Sequence, residues 1–456
     1  MSSRSKMSPL EMRASVGLSG IFGLRMLGMF VILPVFAIYA THLPGGSDLA
    51  LVGIALGAYG LTQALLQIPF GWLSDRYGRK PIIYAGLVVF ALGSFIAAAA
   101  PNIYIVILGR VVQGAGAVSA AVIALTADLT RDEHRTKAMA MIGSTIGFAF
   151  ALSLVAGPWL DERIGVPGIF ALTGVLALAA IGVTWRVVPD VVGRHAGRAL
   201  DLREFGRVVR DGQLLRLDYG IFTLQAVLMS MFMSVPFALK GRGLDVNSHW
   251  EVYLPVMLLS FVLMVPAILY AEKKNGHKPV FIGAVALLAL DQLAMPWLLG
   301  SVERIFLLLL VYFAAFNILE ASLPSLISRI APAGAKGTAV GVYSSSQFLG
   351  SFTGAAVGGV LYQHWGVDAT VVFNLLLIAG WLLLASGMIV PGAVETKIYT
   401  IPEMGTGQAH GLSEQLQSLP GVREVLVIAS ERLAYVKVDR KGFDEQTVLE
   451  LIAGRT

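Results

Sequence analysis

Runs of about 20 mostly apolar residues, the length of helix that spans the hydrocarbon core of a bilayer, recur along this chain with only a few charged or turn-forming residues between them. Lipid offers the backbone no hydrogen-bond partners, so such runs become helices that satisfy every N–H and C=O internally. Twelve can be counted. The first six are Val16 to Ala40, Leu49 to Leu73, Pro81 to Ala100, Ile103 to Leu125, Ala138 to Leu160 and Gly168 to Val188. The second six are Leu217 to Leu239, Tyr253 to Ala271, Val280 to Leu299, Ile305 to Ile327, Ala339 to Leu361 and Ala369 to Val390. Composition agrees with an all-α membrane protein: 56% of the 456 residues are hydrophobic and 14% charged, where an ordinary soluble domain has about 25% charged.

A basic linker at 191–213, with Arg194, Arg198, Arg203, Arg207 and Arg210, divides the spans into two six-helix halves, 1–190 and 214–391. Loops on the N-terminal side carry 21 Lys and Arg, and those on the other side 4. By the positive-inside rule both ends of the chain are cytoplasmic. The first run continues through Arg25 without a small-x-small cleavage site, which marks an uncleaved span rather than a signal peptide. The halves echo each other. Asp75-Arg76-Tyr77-Gly78-Arg79-Lys80-Pro81 has its counterpart in Lys273-Lys274-Asn275-Gly276-His277-Lys278-Pro279, and Arg135-Thr136-Lys137-Ala138 in Lys336-Gly337-Thr338-Ala339. Paired halves are what a rocking, alternating-access carrier is built from.

Net charge is +5, but the cations sit in loops between apolar spans, which points away from nucleic acid. With no Cys there are no disulfides or thiolate metal sites. No nucleotide fingerprint or catalytic triad stands out, so neither an enzyme nor a cofactor is expected.

The stretch Gly71-Trp72-Leu73-Ser74-Asp75-Arg76-Tyr77-Gly78-Arg79-Lys80 resembles the loop between the second and third helices of the major facilitator superfamily. Arg110-Val111-Val112-Gln113-Gly114-Ala115-Gly116 resembles that family's second motif. The resemblance implies the major facilitator fold of two six-helix bundles. It also implies a latch in which Asp75 faces the start of the eleventh helix near Thr338, while Arg79 pairs with Asp128. A carboxylate at a helix N-terminus is favoured by unpaired N–H groups, and such a latch would favour the outward-open state. Gly71, Arg76, Gly78 and Lys80 complete the motif. The fifth span carries Gly157-Pro158 of the family's antiporter motif, but Ser153 stands where its first glycine would be and Asp161-Glu162 where its closing pair would be.

In this family the first, fourth, seventh and tenth helices surround the cavity, and here they carry Arg25, Arg110, Asp218 and Glu320. Charges inside a membrane are costly and mark ion or substrate paths. Glu320 is therefore the expected proton carrier, with Arg25 its partner across the cavity and Arg110 the coupling arginine. Asp218 lies near the cytoplasmic end, and Asp291 belongs to the peripheral ninth helix. Tyr59, Gln63, Gln113, Gln225, Asn317 and Gln347 are expected to border a partly polar substrate cavity, with Met229, Phe232 and Phe316 among its apolar walls. Gly350, Gly354 and Gly358 form a stripe suited to close helix packing.

After Pro391 the pattern changes. Residues 392–456 read as strand Lys397 to Ile401, helix Gly411 to Leu419, strands Val422 to Ile428 and Leu433 to Val438, and helix Phe443 to Ile452. That order, with room for a short last strand, predicts a small α+β ferredoxin-like domain suited to docking or self-association. The whole points to a secondary-active efflux transporter of a bacterial inner membrane, exchanging protons for a small amphipathic compound. A facilitator or proton symporter, and a ligand sensor signalling through the C-terminal domain, are the alternatives.

Overall fold

The computed structural model describes residues 7–189, 202–273, 277–332, 335–388, 394–402, 405–429, 432–439 and 443–453. Arg194, Arg198 and the expected loop residues Lys274, Asn275 and Gly276 lie outside them. Helices α1 (Pro9–Phe30) and α2 (Leu33–Ala40) make the first span. Pro34 lacks the N–H that a continuous helix needs, and the helix restarts just before it. Next come α3 (Leu49–Tyr77) and α4 (Arg79–Ala98), then α5 (Ile103–Ala115) and α6 (Ser119–Asp128), which share one span broken at Gly116. The long α7 (Asp132–Val187) closes the first half. A short helix, α8 (Leu202–Val208), stands in the linker.

The second half holds α9 (Gly212–Phe232) with α10 (Val235–Gly241), α11 (Trp250–Lys273), α12 (His277–Leu298), α13 (Val302–Ile330) and α14 (Lys336–Ser386). Ten stretches among the described residues are long and apolar enough to cross a membrane. Two of them are twice the needed length. They turn back at Gly165 in α7 and Gly366 in α14, where φ is 66° and 70°, values a Cβ disfavours. Ten stretches thus make twelve crossings. The bundle also shows the inverted surface of a lipid-facing protein, with Leu290, Val262, Leu376 and Leu383 exposed and Arg25, Arg110, Gln113, Asp218 and Asp291 buried.

The closest approaches between the halves are backbone contacts of α3 with α14. A Cβ on Gly53 would stand 2.2 Å from the Ala355 carbonyl oxygen, and one on Gly60 2.7 Å from that of Phe348. The Ala50 N–H donates to the Gln363 Oε1 at 3.1 Å. All of this lies between mid-depth and the face opposite the basic loops. Nearer the basic face, Gly143, Gly147, Gly337 and Gly341 have open space where a Cβ would be. The halves therefore meet on the loop-poor face. Within the second half the glycine stripe seats α14 on α9, where a Cβ on Gly354 would fall 2.0 Å from the Ala226 oxygen.

The C-terminal unit comprises β1 (Val394–Thr400), α15 (Thr406–Gln417), β2 (Val422–Ile428), β3 (Leu433–Asp439) and α16 (Glu445–Ala453). Its antiparallel sheet has the order β1-β3-β2, three strands among the described residues. Ala434, Val436 and Val438 of β3 pack with Leu412, Leu416 and Val448 in its core. Lys397 of β1 holds α16 by an ion pair to Glu445 at 2.7 Å.

Two expectations follow. Gly53→Leu overpacks the α3/α14 contact, and overpacking costs about 1–3 kcal/mol. Spin labels on a Ser47→Cys/His364→Cys pair should then show the loop-poor face opening, with Gly147→Leu leaving it shut; unchanged distances in Gly53→Leu would refute this packing account. The Lys397 hydrogen bond holds Glu445 below the usual carboxylate range. That stabilisation is complete above the ordinary Glu pKa and is lost as pH falls through the lowered one. Because the pair is exposed it contributes under about 1 kcal/mol. Amide exchange of β1 should therefore quicken only a few-fold on acidification, and Glu445→Gln should remove that pH dependence.

Candidate functional site

The first cluster lies on the basic face, where the turn between α3 and α4 needs Gly78 at φ 97°. With the chain reversing there, Asp75 on the last turn of α3 comes beside Arg79 on the first turn of α4. Arg79 is ion-paired to Asp75, and its Nε donates to the Asp128 Oδ2 at the end of α6 at 2.9 Å. Its Nη1 also donates to the Ser74 hydroxyl at 2.8 Å. One guanidinium thus gathers two carboxylates, using the forked donors that a lysine lacks. Lys80 donates to the Val188 carbonyl at 2.7 Å, tying this corner to the end of α7. Arg76 lies over the Trp72 and Tyr77 rings, and Gly71 faces the Ala120 side chain, whose Cβ would stand 3.4 Å from a Cβ added there.

The expected arm across the halves is not made. Asp75 is engaged by Arg79, and no hydrogen bond joins it to Thr338 on the first turn of α14. This agrees with halves that meet on the other face. A neighbouring lock was not foreseen: Glu11, buried at the start of α1, accepts from the Arg131 N–H and Nε at 2.9 Å each, and from Nη2 at 3.0 Å. It also caps its own helix through Ser8. The S-x-x-E pattern signalled the cap; nothing local signalled Arg131.

At mid-depth in the first half Arg25 donates to the Tyr59 hydroxyl at 2.7 Å, and to Ser119 and Gln63. Arg110 donates to the Gln113 side chain at 2.7 Å and to the Leu56 carbonyl at 3.0 Å. Both guanidiniums also lie within 5.8 Å of the Tyr59 ring centre. Gln63 passes the network on to Gln67, and Gln113 to Ser94. Tyr59, Gln63 and Gln113 thus serve as hydrogen-bond partners of two arginines of the first half. Neither arginine has a carboxylate partner among the described residues, so the expected Arg25–Glu320 pairing is absent from this arrangement.

Glu320 on α13 is held otherwise. Gln225 of α9 donates to one oxygen at 3.3 Å and Gln347 of α14 to the other at 3.2 Å. Asn317, one turn earlier, donates to the Ser260 hydroxyl of α11 at 3.0 Å. Asp291 accepts from Gln292, which in turn is bonded to Asn374. Both Asp218 oxygens are buried without a partner. Aromatic rings close the seam between the halves: Phe150 of α7 stacks on Phe316 of α13 at 5.7 Å, and Tyr59 meets Phe348 edge-on at 6.2 Å. In the fifth span, Gly157 fits against the Val31 carbonyl where α1 breaks, and the Ser153 hydroxyl reaches the Leu27 carbonyl at 3.3 Å. The first departure from the glycine pattern, Ser153, is absorbed by this contact with the first span.

Comparison with known proteins places this geometry. Residues 18–354 match the Major Facilitator Superfamily, and residues 400–451 match the YajR YAM domain. The chain is 44% identical over 440 residues to the inner membrane transport protein YajR of Escherichia coli (strain K12), covering 96% of each. It is 24% identical over 351 residues to the multidrug resistance protein MdtH of Aeromonas hydrophila, covering 74% of this chain and 85% of that one. Among solved structures, a D-xylose-proton symporter matches with a TM-score of 0.66 at 16% identity, covering 82% of this chain and 98% of that one. The human organic anion transporter MFSD10 matches at 0.64 and 19% identity, covering 83% and 100%. At those identities the likeness is one of fold. The chain belongs to the major facilitator superfamily, as a multi-pass membrane transporter that carries a YAM domain after its last membrane helix.

Proposed function

We propose that this transporter is a proton-coupled exporter of a small amphipathic compound, working by alternating access in a bacterial inner membrane with both termini in the cytoplasm. The observation that carries the reading is Glu320: a carboxyl deep in the second half, held by two neutral amides and by no cation. Such a group can gain or lose a proton without breaking an ion pair. The first half carries two buried guanidiniums that have no carboxylate partner among the described residues. A Glu320 carboxylate is attracted to that wall and the neutral acid is not, so the proton biases how the halves sit. A positively charged or strongly polar substrate group that takes the carboxylate displaces the proton, which is the chemistry of antiport. The relationship to a protein named for multidrug resistance supports export.

The Asp75–Arg79–Asp128 cluster supports a latch on the cytoplasmic side. When the halves close there, Asp75 comes free to meet the start of α14, whose unpaired N–H groups favour a carboxylate. The contact of the halves on the loop-poor face supports reading the present arrangement as the opposite half of that cycle.

In liposomes an imposed pH gradient should drive export of a substrate found by binding competition. Glu320→Gln should abolish gradient-driven flux, by about a hundredfold if general acid–base chemistry of ordinary size is lost, while binding survives. Unchanged flux in that variant removes Glu320 from the mechanism, and gradient-independent flux removes antiport. Asp128→Asn takes away one of the two carboxylates on Arg79 and should move the inward/outward ratio by about tenfold, the effect of a charge-assisted bond of about 1.5 kcal/mol. A label pair spanning the basic face reads that ratio; no movement defeats the latch.

A further inference from the structure

Asp218 is the buried group that the mechanism above leaves unused. It sits six residues into α9, about 9 Å below the basic end of that helix. It is buried, and neither carboxylate oxygen has a hydrogen-bond partner. No ion pair reaches it among the described residues. The nearest basic residue in sequence, Arg216, is spent on the Gly387 carbonyl, and Lys278 on that of Ser386. One tyrosine shares its electrostatic surroundings, and an acid lies beyond that tyrosine. Tyr343, on the α14 helix that packs against α9, has a buried hydroxyl that is likewise without a partner, and it interacts electrostatically with both Asp218 and Glu320. Glu320 lies ten residues from the basic end of α13, about 15 Å deep. Asp218, Tyr343 and Glu320 thus descend in order from the basic face. On the far side of Glu320, Tyr312 stands between it and Asp291 in the same electrostatic sense, but Asp291 is engaged by Gln292.

An orphaned carboxyl and an orphaned hydroxyl buried on two helices packed backbone to backbone are each costly alone. A reason to keep both is that they serve a proton. We propose that Asp218 is a second proton-holding site, exchanging its proton with Glu320 through the Tyr343 hydroxyl. In the transfer the Glu320 acid gives its proton to the tyrosine oxygen as the tyrosine O–H proton passes to the Asp218 carboxylate. Glu320 is left ionised, Asp218 neutral and Tyr343 unchanged, so charge and atoms balance. The consequence is that a substrate occupying Glu320 from the cleft does not trap the proton, which moves to a site behind it. This inference rests on Glu320 being the proton carrier.

The test is difference infrared spectroscopy on the full-length purified protein, following carboxylic-acid C=O bands after a pH jump. Bands are assigned by their loss in Asp218→Asn and in Glu320→Gln. The expected result is that Tyr343→Phe keeps both bands but slows the Asp218 response by about tenfold or more, the loss of a positioned proton-transfer group, and that Glu320→Gln slows it likewise. An Asp218 band that never responds to pH, or that responds as fast in both variants as in the parent, overturns the inference. An Asp218 response that is slowed while no band is lost in Glu320→Gln defeats the carrier role of Glu320, and the inference with it. Loss of the Glu320 band with an unslowed Asp218 response defeats the second site alone.

Discussion

Lipid gives transmembrane helices no hydrophobic reason to associate, because a hydrocarbon tail is as apolar as leucine. What holds this bundle together is contact close enough for dispersion to add up, and that closeness depends on missing side chains. Gly53 and Gly354 let α14 lie against the backbone of α3 on one side and of α9 on the other. The first of these is a contact between halves, and the second is a contact within a half. The same residue type thus serves both seams, according to which helix it faces.

Against that frame the buried charges are arranged by sign. The first half encloses Arg25 and Arg110, neutralised by no acid but solvated by hydroxyls, amides and backbone carbonyls. The second half holds Glu320, Asp218 and Asp291 with amides or with nothing. Buried polar groups are tolerated when every hydrogen bond is met, and the arginines come close to that standard. The acids do not, and a carboxyl can meet the shortfall by carrying a proton where a guanidinium cannot change state. Fixed cations thus belong to one half and the carboxyl groups to the other, which is the division of charge the proposed coupling draws on.

On the basic face the charges are instead paired tightly. Arg79 gathers Asp75 and Asp128, and Arg131 reaches Glu11 from the loop before α7. These bonds tie helices of the first half to one another on that face.

Much of this was readable in the chain. Spans of bilayer length, the doubled loop motif and the strand and helix order after Pro391 all follow from local pattern, because lipid thickness, turn geometry and side-chain alternation each act over a few neighbouring residues; the Arg79–Asp128 pair, 49 positions apart, came from the family resemblance. The sequence alone determined that this is a twelve-span carrier with a small α+β appendage. Tertiary structure decided what the polar residues do. Gln63 and Gln113 look like cavity residues in the chain and are hydrogen-bond partners of two arginines; Gln225 and Gln347, indistinguishable from them by type, hold Glu320. It also decided which face is shut, and that Asp218 shares surroundings with Tyr343, 125 positions away. Those outcomes depend on which helices pack side by side, and residues far apart in the chain carry no local sign of one another.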